Sequence, residues 1–347
     1  MPETPRVGNP QSTGGCGRPG AWVRSGWVPW ARPAARSAPG GRFYLPCQLV
    51  EPPKPPLREM AVVVPDGRQI GIADFGDESD LAVLWFHGTP GARRQVPPAA
   101  VEHAESIGVR IIGVERPGIG WSTPHHYRHL IDWAEDVANV CKSLGIDRFG
   151  VIGLSGGGPY ALACAAALPD QVVAAAILGG VAPSQGADAP AGGIVRFAKP
   201  FGPALTLVRE PMARAFSCTV RNILAPLAHP VFDLYVRFGP RSDREMLARP
   251  EMRAMFMDDL LNAAHHQLKG LVYDAVLFTR DWGFDIADIE VPLFFWHGDA
   301  DFFVPLEHGE HMAGLAKNGT LHFRPGDGHL ATLDASCDAL DLIKQVL

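Results

Sequence analysis

From Val62 onward, short and largely apolar runs alternate with longer stretches in which apolar residues recur every three or four positions. Runs of that kind, rich in β-branched and aromatic residues, mark strands buried on both faces. They predict strands at residues 82–86, 109–114, 148–152, 172–178, 293–296 and 320–323. Helical spacing fills most of the gaps, at 98–107, 130–144 with Asp132 as a candidate cap, 157–168, 307–315 and from Leu330 to the C-terminus. Ahead of these, 62–64 and 68–75 are joined by Pro65-Asp66-Gly67 and predict an opening hairpin. The alternation predicts an α/β fold with a largely parallel sheet.

The pattern breaks over residues 183–290, which hold several amphipathic helical pieces and no convincing strand. A helical insertion before the penultimate strand is expected there, acting as a lid. Its apolar residues, Phe197, Phe201, Leu205, Leu227 and Phe232 among them, are expected to pack on one another and on the sheet. Met252, Met255 and Met257 form a flexible group suited to lining an apolar pocket. The body thus divides into 60–182, the insertion 183–290, and 291–347.

Residues 1–59 are different. They hold 12 of the 32 prolines and interleave Arg with Trp22, Trp27 and Trp30 without periodicity, which predicts a disordered arm. Met60 is the only Met between Met1 and Met212, and patterned sequence starts directly after it, so the working protein is expected to begin near Met60. The arm carries eight Lys and Arg against three Asp and Glu, which leaves 23 against 34 in the rest. The body is acidic, and nucleic acid is excluded as its main partner. No run of 18 apolar residues occurs, so no integral membrane span is expected. The six cysteines are scattered, with Cys141 and Cys164 inside helical apolar patterns; they read as buried thiols of a reducing compartment, the cytoplasm.

Candidate chemistry starts at Gly153-Leu154-Ser155-Gly156-Gly157, between a predicted strand and a predicted helix. Glycines two residues before and after let the backbone turn sharply, so the Ser155 hydroxyl stands clear and the Gly156 amide faces a reacting carbonyl. A nucleophilic serine needs a base, an acid to orient that base, and amides for the developing oxyanion. His329, just beyond the last predicted strand, is the best-placed base among 13 histidines. For the acid, Asp301 lies at the tip of the loop after the penultimate strand and is preferred to Asp299, which suits a turn; Asp327 is a third candidate. The loop His87-Gly88-Thr89-Pro90 follows the 82–86 strand, and since Pro90 has no amide hydrogen, Thr89 is the expected second oxyanion donor beside Gly156. His87 and Gly88 are read as shaping that loop, and Gly153 and Gly157 as shaping the serine turn. Neither a metal nor another cofactor is expected, because none of the histidine clusters carries a nearby Cys, Asp or Glu at a familiar metal spacing.

These motifs, in the order Ser155, Asp301, His329, resemble those of the α/β-hydrolase superfamily over almost the whole body. Glu115-Arg116-Pro117-Gly118-Ile119-Gly120-Trp121-Ser122 is similar to the Asp-Arg-Pro-Gly-x-Gly-x-Ser loop of many members, with Glu115 in place of Asp. The resemblance implies a mostly parallel twisted sheet flanked by helices and hydrolysis of a small-molecule acyl substrate. A serine at the turn, where epoxide- and halide-processing relatives carry aspartate, implies attack on a carboxylic ester, thioester or amide through an acyl-serine. Small or medium apolar esters are the expected substrates. The alternatives are an acyltransferase, a perhydrolase, an aminopeptidase that would seat a free amine on Glu210, Asp233, Glu245, Asp258 or Asp259, and a non-catalytic binding protein on the same fold.

Overall fold

Each of the six predicted buried runs becomes a strand of one eight-stranded sheet in the computed structural model, which describes residues 53–78, 81–184, 202–224 and 228–346. All of these fall in a unit that begins at Leu49. Of the expected arm, residues 1–52 lie outside the described residues, as do Phe197, Phe201 and Leu227. The strands are β1 (Arg58–Val63), β2 (Gln69–Asp74), β3 (Leu81–Phe86), β4 (Val109–Val114), β5 (Phe149–Leu154), β6 (Val172–Leu178), β7 (Leu293–Gly298) and β8 (Gly319–Arg324). They lie in the order β1-β2-β4-β3-β5-β6-β7-β8. The β1–β2 and β2–β4 pairs are antiparallel and the rest are parallel.

The first strand starts at Arg58, earlier than the hairpin read from 62–64 and ahead of the boundary placed at Met60. It is an edge strand whose buried residue is Val62, and it opens on the polar Arg58 and Glu59, ahead of the apolar run 60–64. Its polar residues are held by charge instead. Arg58 meets Asp74 at 2.7 Å, and the Glu59 carboxylate takes Arg93 at 2.7 Å as well as Arg94.

Alternation along the strands sorts the core into two layers. Leu84 and Phe86 of β3 face α2 (Trp133–Leu144) and α3 (Gly158–Ala167), while Val83 and Trp85 face α1 (Pro98–Ser106) and the C-terminal helix. Phe86 meets Trp133 edge to face at 5.7 Å, a geometry worth about 1 kcal/mol beyond the area buried. The predicted 130–144 helix splits into a 3-10 turn, Leu130–Asp132, and α2. Asp132 does not cap α2; its carboxylate turns upstream and accepts the amides of Arg128 and His129 at 3.0 Å.

Between β6 and β7 the described residues form α4 (Gly202–Thr219), α5 (Ala228–Phe238), α6 (Arg241–Leu247), α7 (Pro250–His266) and α8 (Gly270–Phe278). Met252 and Met255 belong to the core layer shared with α1 rather than to a pocket wall, because the face of α7 that carries them also meets α1. After β7 come α9 (Glu307–Leu315), β8, a 3-10 stretch Leu330–Ala335, and α10 (Ser336–Val346). Among the described residues no helix is long and apolar enough to cross a membrane.

Candidate active site

Ser155 stands where β5 ends, in a tight Ser155–Gly157 turn that leads straight into α3. Its φ is 50°, and among the described residues it is the only one other than glycine with positive φ. Such a backbone costs about 1–3 kcal/mol and persists only where the surroundings enforce it. The enforcement comes from packing: a Cβ on Gly153 would strike the Gly157 carbonyl at 2.5 Å, and one on Gly157 would strike the Phe86 carbonyl of β3. Both glycines are therefore required by close approach of backbone to backbone.

The loop after β8 brings His329 to this turn. Its Nε2 lies 2.8 Å from Ser155 Oγ, and its Nδ1 lies 2.6 Å from Asp301 Oδ2. An ionised carboxylate only accepts, so Nδ1 carries the proton toward Asp301 and Nε2 is left to accept from the serine hydroxyl. Asp301 is buried, and its other oxygen accepts the amides of Phe303 and Val304 at 2.9 Å each. The carboxylate is thus fixed by its own loop before it meets the imidazole. Asp299 is exposed and accepts the Gly326 amide at 2.7 Å, while Asp327 takes Arg324 Nε at 2.5 Å. Of the three acids weighed from sequence, Asp301 alone bonds His329.

The loop after β3 lies against the serine turn. A side chain on Gly156 would collide with Thr89 Oγ1, so the two segments that carry the expected oxyanion amides are in contact. His87 is fully buried; its Nδ1–H donates to the Gly88 carbonyl at 2.8 Å and its Nε2 accepts the Arg116 amide at 3.4 Å. Burial, aided by the Arg116 guanidinium, holds this imidazole well below its ordinary pKa. The Gly88 amide donates to Gln95 Oε1 at 2.6 Å.

Two charged residues that stood out less in the sequence organise this loop. The Arg116 guanidinium, fully buried, donates to the carbonyls of His87 and Gly88, to Thr89 Oγ1 at 2.8 Å, and to Asp274 Oδ2 at 2.8 and 3.1 Å. Asp274, on α8, also accepts from Thr89 Oγ1 at 3.1 Å and from the Tyr160 hydroxyl at 2.6 Å. The signal for Asp274 was present as a lone carboxylate inside the apolar stretch 271–278. Glu115, the departure from the usual Asp, is buried and accepts the Trp121 amide at 2.7 Å. Gly71 and Gly120 leave the room that its carboxylate fills.

The carboxylates weighed as a seat for a free amine are all engaged. Glu210 holds the Tyr273 hydroxyl at 2.7 Å and Arg214 at 2.8 Å, Asp233 holds Arg253 at 2.6 Å, Glu245 holds Arg241 at 2.8 Å, and Asp258 holds Arg94 at 3.0 Å. Asp259 accepts the amides of Ala92 and Arg94 at 2.8 and 3.0 Å, and burial pushes its carboxyl up to about 7. A cavity is lined by His126, Tyr160, Tyr273 and Leu277 together with Arg209, Arg280 and Asp274, and none of Ser155, Asp301 and His329 lines it. Among the described residues, no group of three or more His, Cys, Asp and Glu could hold a metal ion.

The family model for the alpha/beta hydrolase fold matches residues 82–336. A bifunctional esterase/perhydrolase of Acinetobacter calcoaceticus is 25% identical over 285 residues, which cover 81% of this chain and 97% of that protein. A 2-hydroxy-6-oxononadienedioate/2-hydroxy-6-oxononatrienedioate hydrolase of Burkholderia vietnamiensis is 28% identical over 277 residues, 78% of this chain and 88% of that one. Among solved structures, a thermophilic esterase from Thermogutta terrifontis superposes with a TM-score of 0.59 at 20% identity, covering 83% of this chain and 97% of its own.

Proposed function

The chain belongs to the alpha/beta hydrolase family, and on that premise we propose that it is a cofactor-free serine hydrolase of small or medium apolar carboxylic esters. The observation that carries this reading is the unbroken line from Ser155 Oγ to His329 Nε2 at 2.8 Å and from His329 Nδ1 to Asp301 at 2.6 Å. Ser155 attacks the ester carbonyl while His329 takes its proton, and the negative oxygen of the tetrahedral intermediate is met by the amides of Gly156 and Thr89. His329 then protonates the leaving alcohol. Water, deprotonated by the same imidazole, releases the acid and restores the serine. Asp301 keeps the imidazole in the tautomer that can accept from the hydroxyl.

Several features support an ester over the rival substrates. An aspartate is absent from position 155, and the acidic residues an aminopeptidase would need are already paired. The helices between β6 and β7 act as a lid in this reading, and buried Cys141, its thiol pushed up to about 12 by burial, suits a reducing compartment such as the cytoplasm. A second reading of the acceptor is favoured by the Acinetobacter relative, which is both an esterase and a perhydrolase: hydrogen peroxide in place of water would take the acyl group as a peracid and leave the same free serine.

The test is Ser155→Ala. It should lower kcat for p-nitrophenyl esters by about 10⁴ to 10⁶ and abolish labelling by a fluorophosphonate. Activity within tenfold of wild type would sink the assignment, and an unlabelled Ser155 in folded protein would favour a binding protein. Peracid formation on adding peroxide separates the two acceptors.

A further inference from the structure

Two adjacent side chains of α6 reach across to the loop that carries His329. Ser242 Oγ accepts the Gly328 amide at 2.8 Å, and Asp243 Oδ1 accepts the Ala331 amide at 2.9 Å. The bonded residues lie one before and two after the imidazole. Gly328 marks how close the approach is, since a Cβ there would sit 2.6 Å from Asp243 Oδ1. Asp243 has no exposed surface, and its second oxygen accepts the Tyr235 hydroxyl at 2.6 Å.

That second arm ends on the acid. The Tyr235 ring of α5 stacks on Phe303, with centroids 5.9 Å apart and planes at 24°. Phe303 in turn donates its amide to Asp301 Oδ1, and its ring lies 5.7 Å from that of His329. A helix that merely packed on the core would be served by an apolar residue at 243, because a buried carboxylate is costly unless its oxygens are bonded. Here both are bonded, one to the base loop and one to the residue that touches the acid loop. The loop itself, Arg324-Pro325-Gly326-Asp327-Gly328, has two glycines, and glycine loses the most freedom on being fixed. Its order has to come from partners.

We propose that Ser242 and Asp243 are positioning residues that align His329 between Ser155 and Asp301, so that the base is competent only while the helical insertion is seated. The proposal rests on the serine-hydrolase reading. Opening of the insertion to admit ester or release acid withdraws the acceptors of the 328 and 331 amides, and acyl transfer proceeds from the closed form alone. Lid closure and base alignment are then one equilibrium.

The experiment compares wild type with Asp243→Ala, Asp243→Asn and the double variant Ser242→Ala/Tyr235→Phe in the full chain. It reads kcat and KM on p-nitrophenyl acetate, the rate of fluorophosphonate labelling of Ser155, and folding by near-ultraviolet circular dichroism. Misplacing a catalytic group by about 1 Å costs about 10²-fold, so Asp243→Ala should lower kcat and the labelling rate together, by about 10- to 100-fold, with KM within about threefold. Asp243→Asn still accepts from Ala331 through Oδ1 and faces the Tyr235 oxygen with its amide, so it should stay within about fivefold of wild type. Wild-type kcat in folded Asp243→Ala, a loss confined to KM, or Asp243→Asn as impaired as Asp243→Ala overturns the proposal. Should Asp243→Ala not fold, the double variant decides: a fall in kcat of about tenfold supports positioning, and wild-type kcat overturns it. A wild-type protein that neither hydrolyses esters nor labels at Ser155 would instead overturn the hydrolase reading.

Discussion

The hydroxyl of Thr89 occupies the space in which a side chain on Gly156 would have to sit. That hydroxyl bonds both Arg116 and Asp274, so it cannot swing aside without leaving two buried charges short of a partner. Gly156→Ala should therefore push the two oxyanion segments apart and lower kcat by about 10² to 10³, the loss expected when one oxyanion donor is removed. Ester hydrolysis at saturating substrate measures it. A kcat within threefold of wild type would mean that the loop yields freely.

Asp301 and Asp299 sit two residues apart and should respond very differently to amidation. Asp301→Asn should cost about 10⁴ in kcat, because the imidazole would be held in the wrong tautomer. Asp299 bonds only a turn amide at 2.7 Å, and Asp299→Asn should stay within about tenfold of wild type. The reverse ranking would move the acid to Asp299.

Removing Asp274 should show as lost stability. Arg116 would keep its charge, fully buried, with two carbonyls, one hydroxyl and the Tyr160 ring around it but no carboxylate, and stranding a buried charge in this way costs about 3–5 kcal/mol. Urea unfolding of Asp274→Ala should reveal a loss of that order. A loss below 1 kcal/mol would mean that water or a rearranged side chain replaces the carboxylate.

His87 should make the fold acid-sensitive. In the unfolded chain it takes a proton near pH 6.5, whereas in the native loop burial and Arg116 keep it neutral well below that. The unfolded state therefore binds the extra proton as pH falls. The stabilisation is full above about pH 6.5 and declines by up to about 1.4 kcal/mol per pH unit beneath it, until the native pKa is reached. His87→Gln should lack this component. Unfolding free energies of both proteins between about pH 5 and 7.5 isolate it, since the other histidines cancel in the difference; parallel curves would contradict the assignment.

Interior strands and the serine turn were legible because both write themselves locally, as apolar runs and as a glycine-serine pattern. β1 starts ahead of its apolar run 60–64 because ion pairs to Asp74 and Arg93, which no local pattern records, hold its polar opening residues Arg58 and Glu59. Asp132 reads as a cap from its neighbours on the C-terminal side, yet its oxygen had upstream amides within reach. The bonds from Ser242 to Gly328 and from Asp243 to Ala331 span more than 80 residues, and Pro240-Arg241-Ser242-Asp243 looks in isolation like an ordinary helix start. Only the path of the chain reveals that these side chains face a loop. The sequence marks Thr89 for its amide, whereas its hydroxyl couples the loop to α8 through Asp274.

Glu59 gives the first strand a reach well beyond its own hairpin. Against the burial that would raise it, Arg94 and Arg93 hold its carboxyl below the usual range, and Arg94 also grips Asp258 of α7 at 3.0 Å. The sheet edge and the helical insertion are thereby moored to the same guanidinium, that of Arg94. Proteolytic trimming that passes Arg58 and takes Glu59 would remove one of the counter-charges of arginines 34 and 35 positions downstream, loosening the hold of Arg94 on a helix far along the chain from the cut.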